Sequence, residues 1–102
     1  MAAYIALFEY DDESKSVGVV FPDFPGCVTQ GDDFDDAVRI AHEALAFHIH
    51  GMKEDGDEIP EPRTLEQIKT EWKDWNEWVA KYKFTVEQIE HIPGYIAKRG
   101  KA

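Results

Sequence analysis

The chain has a single cysteine, Cys27, among its 102 residues. No disulfide can form within it, which suits a reducing compartment. No uninterrupted apolar stretch approaches the roughly 18 residues that a membrane-spanning helix needs. The N-terminus also lacks the basic region and apolar run of a secretion signal. A cytoplasmic protein without membrane association is therefore expected. Basic side chains are scarce, with 11 Lys and Arg against 21 Asp and Glu and a net charge of −10. That scarcity is concentrated. Residues 1–62 hold 15 acidic and 3 basic side chains, whereas residues 63–102 hold 6 and 8, giving −12 and +2. A field of the first sign repels nucleic acid and anionic membrane and speeds encounter with a basic partner. By itself, the same charge does no more than keep a small domain soluble. The length suits one compact domain, expected over residues 1–90 with a short tail at 91–102. There is no internal repeat or low-complexity segment.

The residues that most often carry chemistry are present but poorly arranged for it. His48 and His50 stand two apart and point to different sides of a helix, and His42 has no histidine at i+4 with which to share a metal. His48 falls on an apolar stripe and reads as a core-edge residue. Cys27 has no nucleophile-elbow sequence around it and reads as a small apolar residue in a short strand. Trp72, Trp75 and Trp78 walk around a helix rather than forming a flat stacking surface, so they divide between core and interface roles. Lys98, Arg99 and Lys101 read as a solvated basic terminus rather than a phosphate site. No catalytic residue, metal or cofactor is expected.

What the sequence does have is strong punctuation. The segment Phe21-Pro22-Asp23-Phe24-Pro25-Gly26-Cys27-Val28-Thr29-Gln30-Gly31 sets two prolines and two glycines between strand-like residues. It dictates turn, short strand, turn, because proline fixes φ and glycine admits angles closed to other residues. Ahead of it, Tyr4–Tyr10 reads as a first strand, residues 11–15 as a polar loop, and Ser16–Phe21 as a second strand with Val17, Val19 and Phe21 on one face. Cys27–Gln30 makes a third. Apolar residues from Phe34 to Met52 recur at spacings of three and four, drawing one stripe along a helix of about five turns. Asp33 is its N-cap, with Asp35 and Asp36 in the first turn, and Gly51 and Gly56 bracket its end. After Pro60-Glu61-Pro62, Thr64 and Gln67 have capping-box spacing for a second helix reaching Lys81, with Leu65, Ile68, Trp72, Trp75 and Val79 as its stripe. Tyr82–Ile89 alternates like an edge strand. The expected fold is α+β: a three-stranded antiparallel meander plus a fourth edge strand, with two helices, in the order β-β-β-α-α-β.

These landmarks also occur together in a known order: Tyr4-Ile5-Ala6-Leu7-Phe8, the Phe-Pro-Asp-Phe-Pro-Gly-Cys run, the Gly31-Asp32-Asp33 helix entry, Glu43-Ala44-Leu45 and Pro60-Glu61-Pro62. In this the chain resembles HicB-type antitoxins, strongly over residues 3–62 and more weakly at 82–89. The resemblance implies a partial ribonuclease-H-like fold and a non-enzymatic protein. Its role would be to bind a small basic HicA-like toxin that cleaves messenger RNA and to occlude that toxin's RNA-binding and catalytic surface. It implies no nuclease site, because the carboxylates sit where turns and a helix cap already explain them. Asp11, Asp12, Glu13, Asp23, Phe24, Asp32 and Asp33 are the expected partner-binding residues. Such antitoxins commonly carry a C-terminal DNA-binding module. Here residues 91–102, interrupted by Pro93-Gly94, are too few for two helices and a turn, so direct DNA binding is not expected. The other reading of the same fold is a solitary interaction module without a toxin. An exposed edge strand and aromatic anchors make a homo-oligomer the expected state.

Overall fold

A computed structural model describes residues 2–96. Four strands, β1 (Ala3–Tyr10), β2 (Val17–Val20), β3 (Val28–Gly31) and β4 (Lys83–Glu90), form one antiparallel sheet in the order β3-β2-β1-β4. Three helices, α1 (Phe34–Glu54), α2 (Leu65–Glu71) and α3 (Trp75–Lys81), lie between β3 and β4 in the chain. The meander, the fourth strand at an edge and the α+β class are as the sequence predicts.

β1 is central, and its composition shows why. A strand covered on both faces needs apolar residues in both registers rather than simple alternation. Tyr4, Ala6 and Phe8 belong to a core with α1, while Ile5 and Leu7 belong to a smaller cluster with Ile68. The larger core also takes Val17, Val19, Phe21, Phe24, Cys27 and, from α1, Ala37, Ala41, Leu45 and Ile49. Each fully buried large side chain contributes about 1.5–3 kcal/mol. α1 begins where expected: the Asp33 carboxylate accepts the Asp36 amide at 2.8 Å. It ends at Glu54, with Gly56 at φ 78° just beyond.

The second predicted helix is broken. The Thr64 capping box forms, but α2 stops at Glu71, Trp72 takes an extended conformation, and a new helix starts at Trp75. On one continuous helix, residues three apart drift steadily around the axis. The break removes that drift. Trp72, Trp75 and Trp78 pack together with ring centroids 5.9–6.2 Å apart where Trp72 meets the other two, and Trp75 and Trp78 close on Phe84 of β4 at 5.9 and 5.0 Å. Trp78, expected near the margin, is packed against the smaller cluster. β4 serves both sides of the sheet, because Phe84 faces this cluster while Ile89 lies in the α1 core.

Past β4 the chain turns back. The His91 amide donates to the Ala2 carbonyl at 2.8 Å, and Tyr95 lies against His42 of α1 with centroids 5.1 Å apart. Lys98, Arg99 and Lys101 lie outside the described residues.

Candidate protein-interaction surface

Strand register collects the carboxylates that sequence separates. Tyr10 at the end of β1 pairs with Val17 at the start of β2, and Val17 pairs with Gly31 at the end of β3. The Asp11–Glu13 loop and the Asp32-Asp33 helix entry therefore leave the same end of the sheet. Tyr10 also pairs with Lys83, which brings the end of α3 to that end. Beside the loop is a polar hollow of ≈ 570 Å³ lined by Glu9, Asp11, Asp12, Glu13, Gln30 and Tyr82, among others.

The five carboxylates differ in how far the fold already uses them. Asp11 organises its own loop, accepting the Glu13 amide at 2.9 Å and the Ser14 hydroxyl at 2.9 Å. Those bonds, the amide first, hold its carboxyl below the ordinary aspartate value. Asp33 caps α1. Asp12 pairs with Lys83 at 3.0 Å, yet both side chains are about three-quarters exposed, and such a pair contributes about 0–1 kcal/mol. Glu13 and Asp32 are exposed, and neither side chain hydrogen-bonds a described residue. Glu9, inward of them beside Gly18, has its carboxyl raised by burial and then by the Asp11 charge.

Asp23 and Phe24 are not at this surface. They occupy the turn at the opposite end of β2 and face inward, only 8% and 1% exposed. Phe24 packs edge-on against Tyr4 and His48 with centroids at 4.7 and 5.6 Å. The Asp23 carboxylate accepts Nε of Arg63 at 2.7 Å and the Arg63 backbone amide at 3.1 Å. The same guanidinium reaches Glu71 at 3.1 Å and the Pro22 carbonyl at 3.0 Å. This network ties the proline-rich turn to the connection before α2. Asp23 and Phe24, expected among the partner contacts, thus lie at the other end of β2, where the fold already engages both side chains.

Cys27 is buried immediately before β3, its thiol directed at the Ala44 carbonyl at 3.9 Å. Burial pushes the thiol up to about 11. Because the thiolate is the reactive form, alkylation of the folded protein at pH 7.5 is expected to run roughly a hundredfold slower than for an exposed cysteine and to become normal in denaturant. Mass spectrometry of iodoacetamide time courses checks this, and equal rates in the two states would contradict it. Among the described residues, no group of three His, Cys, Asp or Glu is placed to hold a metal ion. No helix among them is long and apolar enough to cross a membrane.

Comparison with known proteins bears on the family and the fold. Residues 4–91 match the family model described as HicB_like antitoxin of bacterial toxin-antitoxin system. An uncharacterized 14.9 kDa protein in the rep-hol intergenic region of Haemophilus phage HP1 is 44% identical over 59 residues, 56% of this chain and 44% of that protein. Antitoxin HicB 2 of Photorhabdus laumondii is 38% identical over 61 residues, 60% of this chain and 42% of the relative. The matched segment thus spans less than half the length of either curated relative. Among solved structures, a toxin-antitoxin complex from Streptococcus pneumoniae superposes with a TM-score of 0.68 at 26% identity, covering 86% of this chain and 67% of the other. A HicA3 and HicB3 toxin-antitoxin complex gives 0.64 at 24% identity, covering 89% and 99%, a likeness of fold.

Proposed function

The chain belongs to the HicB-like antitoxin family of bacterial toxin-antitoxin systems, and from that premise we propose that it binds a small basic toxin and neutralises it by covering the surface that handles RNA. The reading is supported above all by the convergence of Asp11, Asp12, Glu13, Asp32 and Asp33 at one end of the sheet, in a half of the chain that carries −12. A surface that grips RNA phosphates is necessarily cationic. Carboxylates presented on a rigid sheet end compete with phosphate for it and accelerate encounter. The protein acts by recognition rather than catalysis and works in the cytoplasm, where the messenger RNA is.

Glu13, Asp12 and Asp32 are the side chains to test, because Asp11 and Asp33 also hold the local backbone. The triple variant Asp12→Lys, Glu13→Lys, Asp32→Lys is expected to keep its far-ultraviolet circular dichroism. It should bind a HicA-like toxin roughly a hundredfold more weakly, mainly through slower association with a flattened salt dependence. Stopped-flow association rates at several ionic strengths measure this. Unchanged rates would remove the sheet end from the interface. Full RNA cleavage by the toxin at saturating wild-type protein would sink the antitoxin reading itself.

A further inference from the structure

At the opposite end of the molecule, the last two turns of α1 present an aromatic ring to water. Phe47 is 78% exposed on a helix face that otherwise carries Glu43, His50 and Glu54. It forms a ridge between two hollows. One, of ≈ 440 Å³, has apolar walls from Phe24, Pro25, Phe47 and Met52 with Gly51 beside them, and Asp55 and Asp57 on its border. The other, of ≈ 320 Å³, lies toward Tyr95 and Ile96.

Gly51 is as informative as Phe47. Within a helix, glycine is less favourable than alanine, and its usual excuses are a left-handed φ or a crowded approach. Gly51 has neither: no heavy atom outside its immediate helical surroundings lies within 4 Å of where a Cβ would stand. The fold does not require the missing side chain, whereas an occupant of the groove would. The border of the groove defines that occupant. Residues 54–61 carry Glu54, Asp55, Asp57, Glu58 and Glu61 with no basic residue, at the helix end where the backbone dipole is negative. Lys53 precedes them in the last turn of α1, and the next cation after them, Arg63, is engaged by Asp23 and Glu71.

We propose that this groove is a second docking site, taking a basic segment of the toxin that lays one apolar side chain beside Phe47 over Gly51 and sets flanking Lys or Arg against Asp55 and Asp57. The charge complementarity selects that occupant, since a second copy of this −10 chain would bring like charge to an acidic border. An exposed aromatic in an apolar hollow with a charged border is the usual build of an energetic anchor.

The site rests on the antitoxin reading, and one experiment separates the two. A HicA-like toxin is titrated by biolayer interferometry against the wild type, Phe47→Ser, Gly51→Gln and the double variant Asp55→Lys, Asp57→Lys, with thermal melting and sedimentation of each chain alone. Each variant is expected to weaken binding at least tenfold, Phe47→Ser through faster dissociation, while Gly51→Gln melts no lower than the wild type. Binding by the wild type and all three variants within twofold overturns the groove and leaves the antitoxin reading standing. Absence of binding by the wild type overturns both. Loss of self-association in Phe47→Ser with unchanged toxin affinity assigns the groove to a second copy and overturns the proposal.

Discussion

Replacing Arg63 with methionine is expected to destabilise the protein by about 3–5 kcal/mol, the cost of leaving a buried carboxylate without its partner. The Asp23 side chain is 1% exposed, and its hydrogen bonds come from Arg63, through both the guanidinium and the backbone amide. The guanidinium is itself 28% exposed, which places the effect at the lower end of that range. Hydrogen bonding to Asp23 raises the guanidinium above its already high ordinary value, so Arg63 stays charged throughout the usable pH range. Lysine is not an adequate replacement, because one ammonium cannot serve Asp23, Glu71 and the Pro22 carbonyl in a single planar fork. Urea denaturation measures the change. The double variant Asp23→Asn, Arg63→Met should recover part of the loss, since it removes the stranded charge along with its partner. A single Arg63→Met variant within about 0.5 kcal/mol of the wild type would show that the turn and the 54–64 connection are held by other contacts, such as the Tyr4 hydroxyl bond to the Pro60 carbonyl at 2.7 Å.

Gly31→Ala is expected to be comparably damaging for a different reason. A Cβ at Gly31 would lie 2.4 Å from the Ala37 nitrogen and 2.6 Å from its Cα, both backbone atoms of the first turn of α1. No rotamer change can relieve such a clash; either β3 or the helix must move. The Ala37 amide is also committed to the Asp33 carbonyl at 2.9 Å, and Ala37 is fully buried. The cost should reach about 3 kcal/mol, the upper end of overpacking effects. For a domain of this size that lowers the melting temperature by roughly 10–20 °C. Gly51→Ala is the natural control, because it adds the same methyl group to open space and should melt slightly higher than the wild type. A Gly31→Ala variant melting within about 2 °C of the wild type would mean that the strand-to-helix junction adapts more readily than its geometry implies.

The two glycines also show which parts of the molecule were legible from sequence. Gly31 was readable as punctuation between a short strand and an acidic helix start, but its need to lack a side chain depends on how closely α1 crosses β3. Asp33 as N-cap and Thr64 with Gln67 as a capping box were readable outright, because capping bonds join residues three apart and depend on little else. The helix break at 72–74 was not. Local spacing argues for continuity there, and the reason to break is the chance to cluster three indole rings, two of them against Phe84, a strand residue that comes later in the chain. The burial of Asp23 and Phe24 was hidden for a related reason. A turn rich in Pro, Gly and Asp reads as surface, and only the arrival of Arg63 from 40 residues away converts its carboxylate into a buried partner.

The sequence alone therefore determined the order of the strands and of the first helix, the acidic N-terminal portion and the family, since each depends on local periodicity, local capping or the succession of motifs along the chain. Tertiary structure decided which carboxylates stand together, because strand register joins Asp11–Glu13 to Asp32-Asp33 across intervening residues. It also decided which acidic residue is withdrawn from the surface, and it left Phe47 in water above an open glycine. Those outcomes turn on contacts between residues far apart in sequence, whose energies no local pattern records.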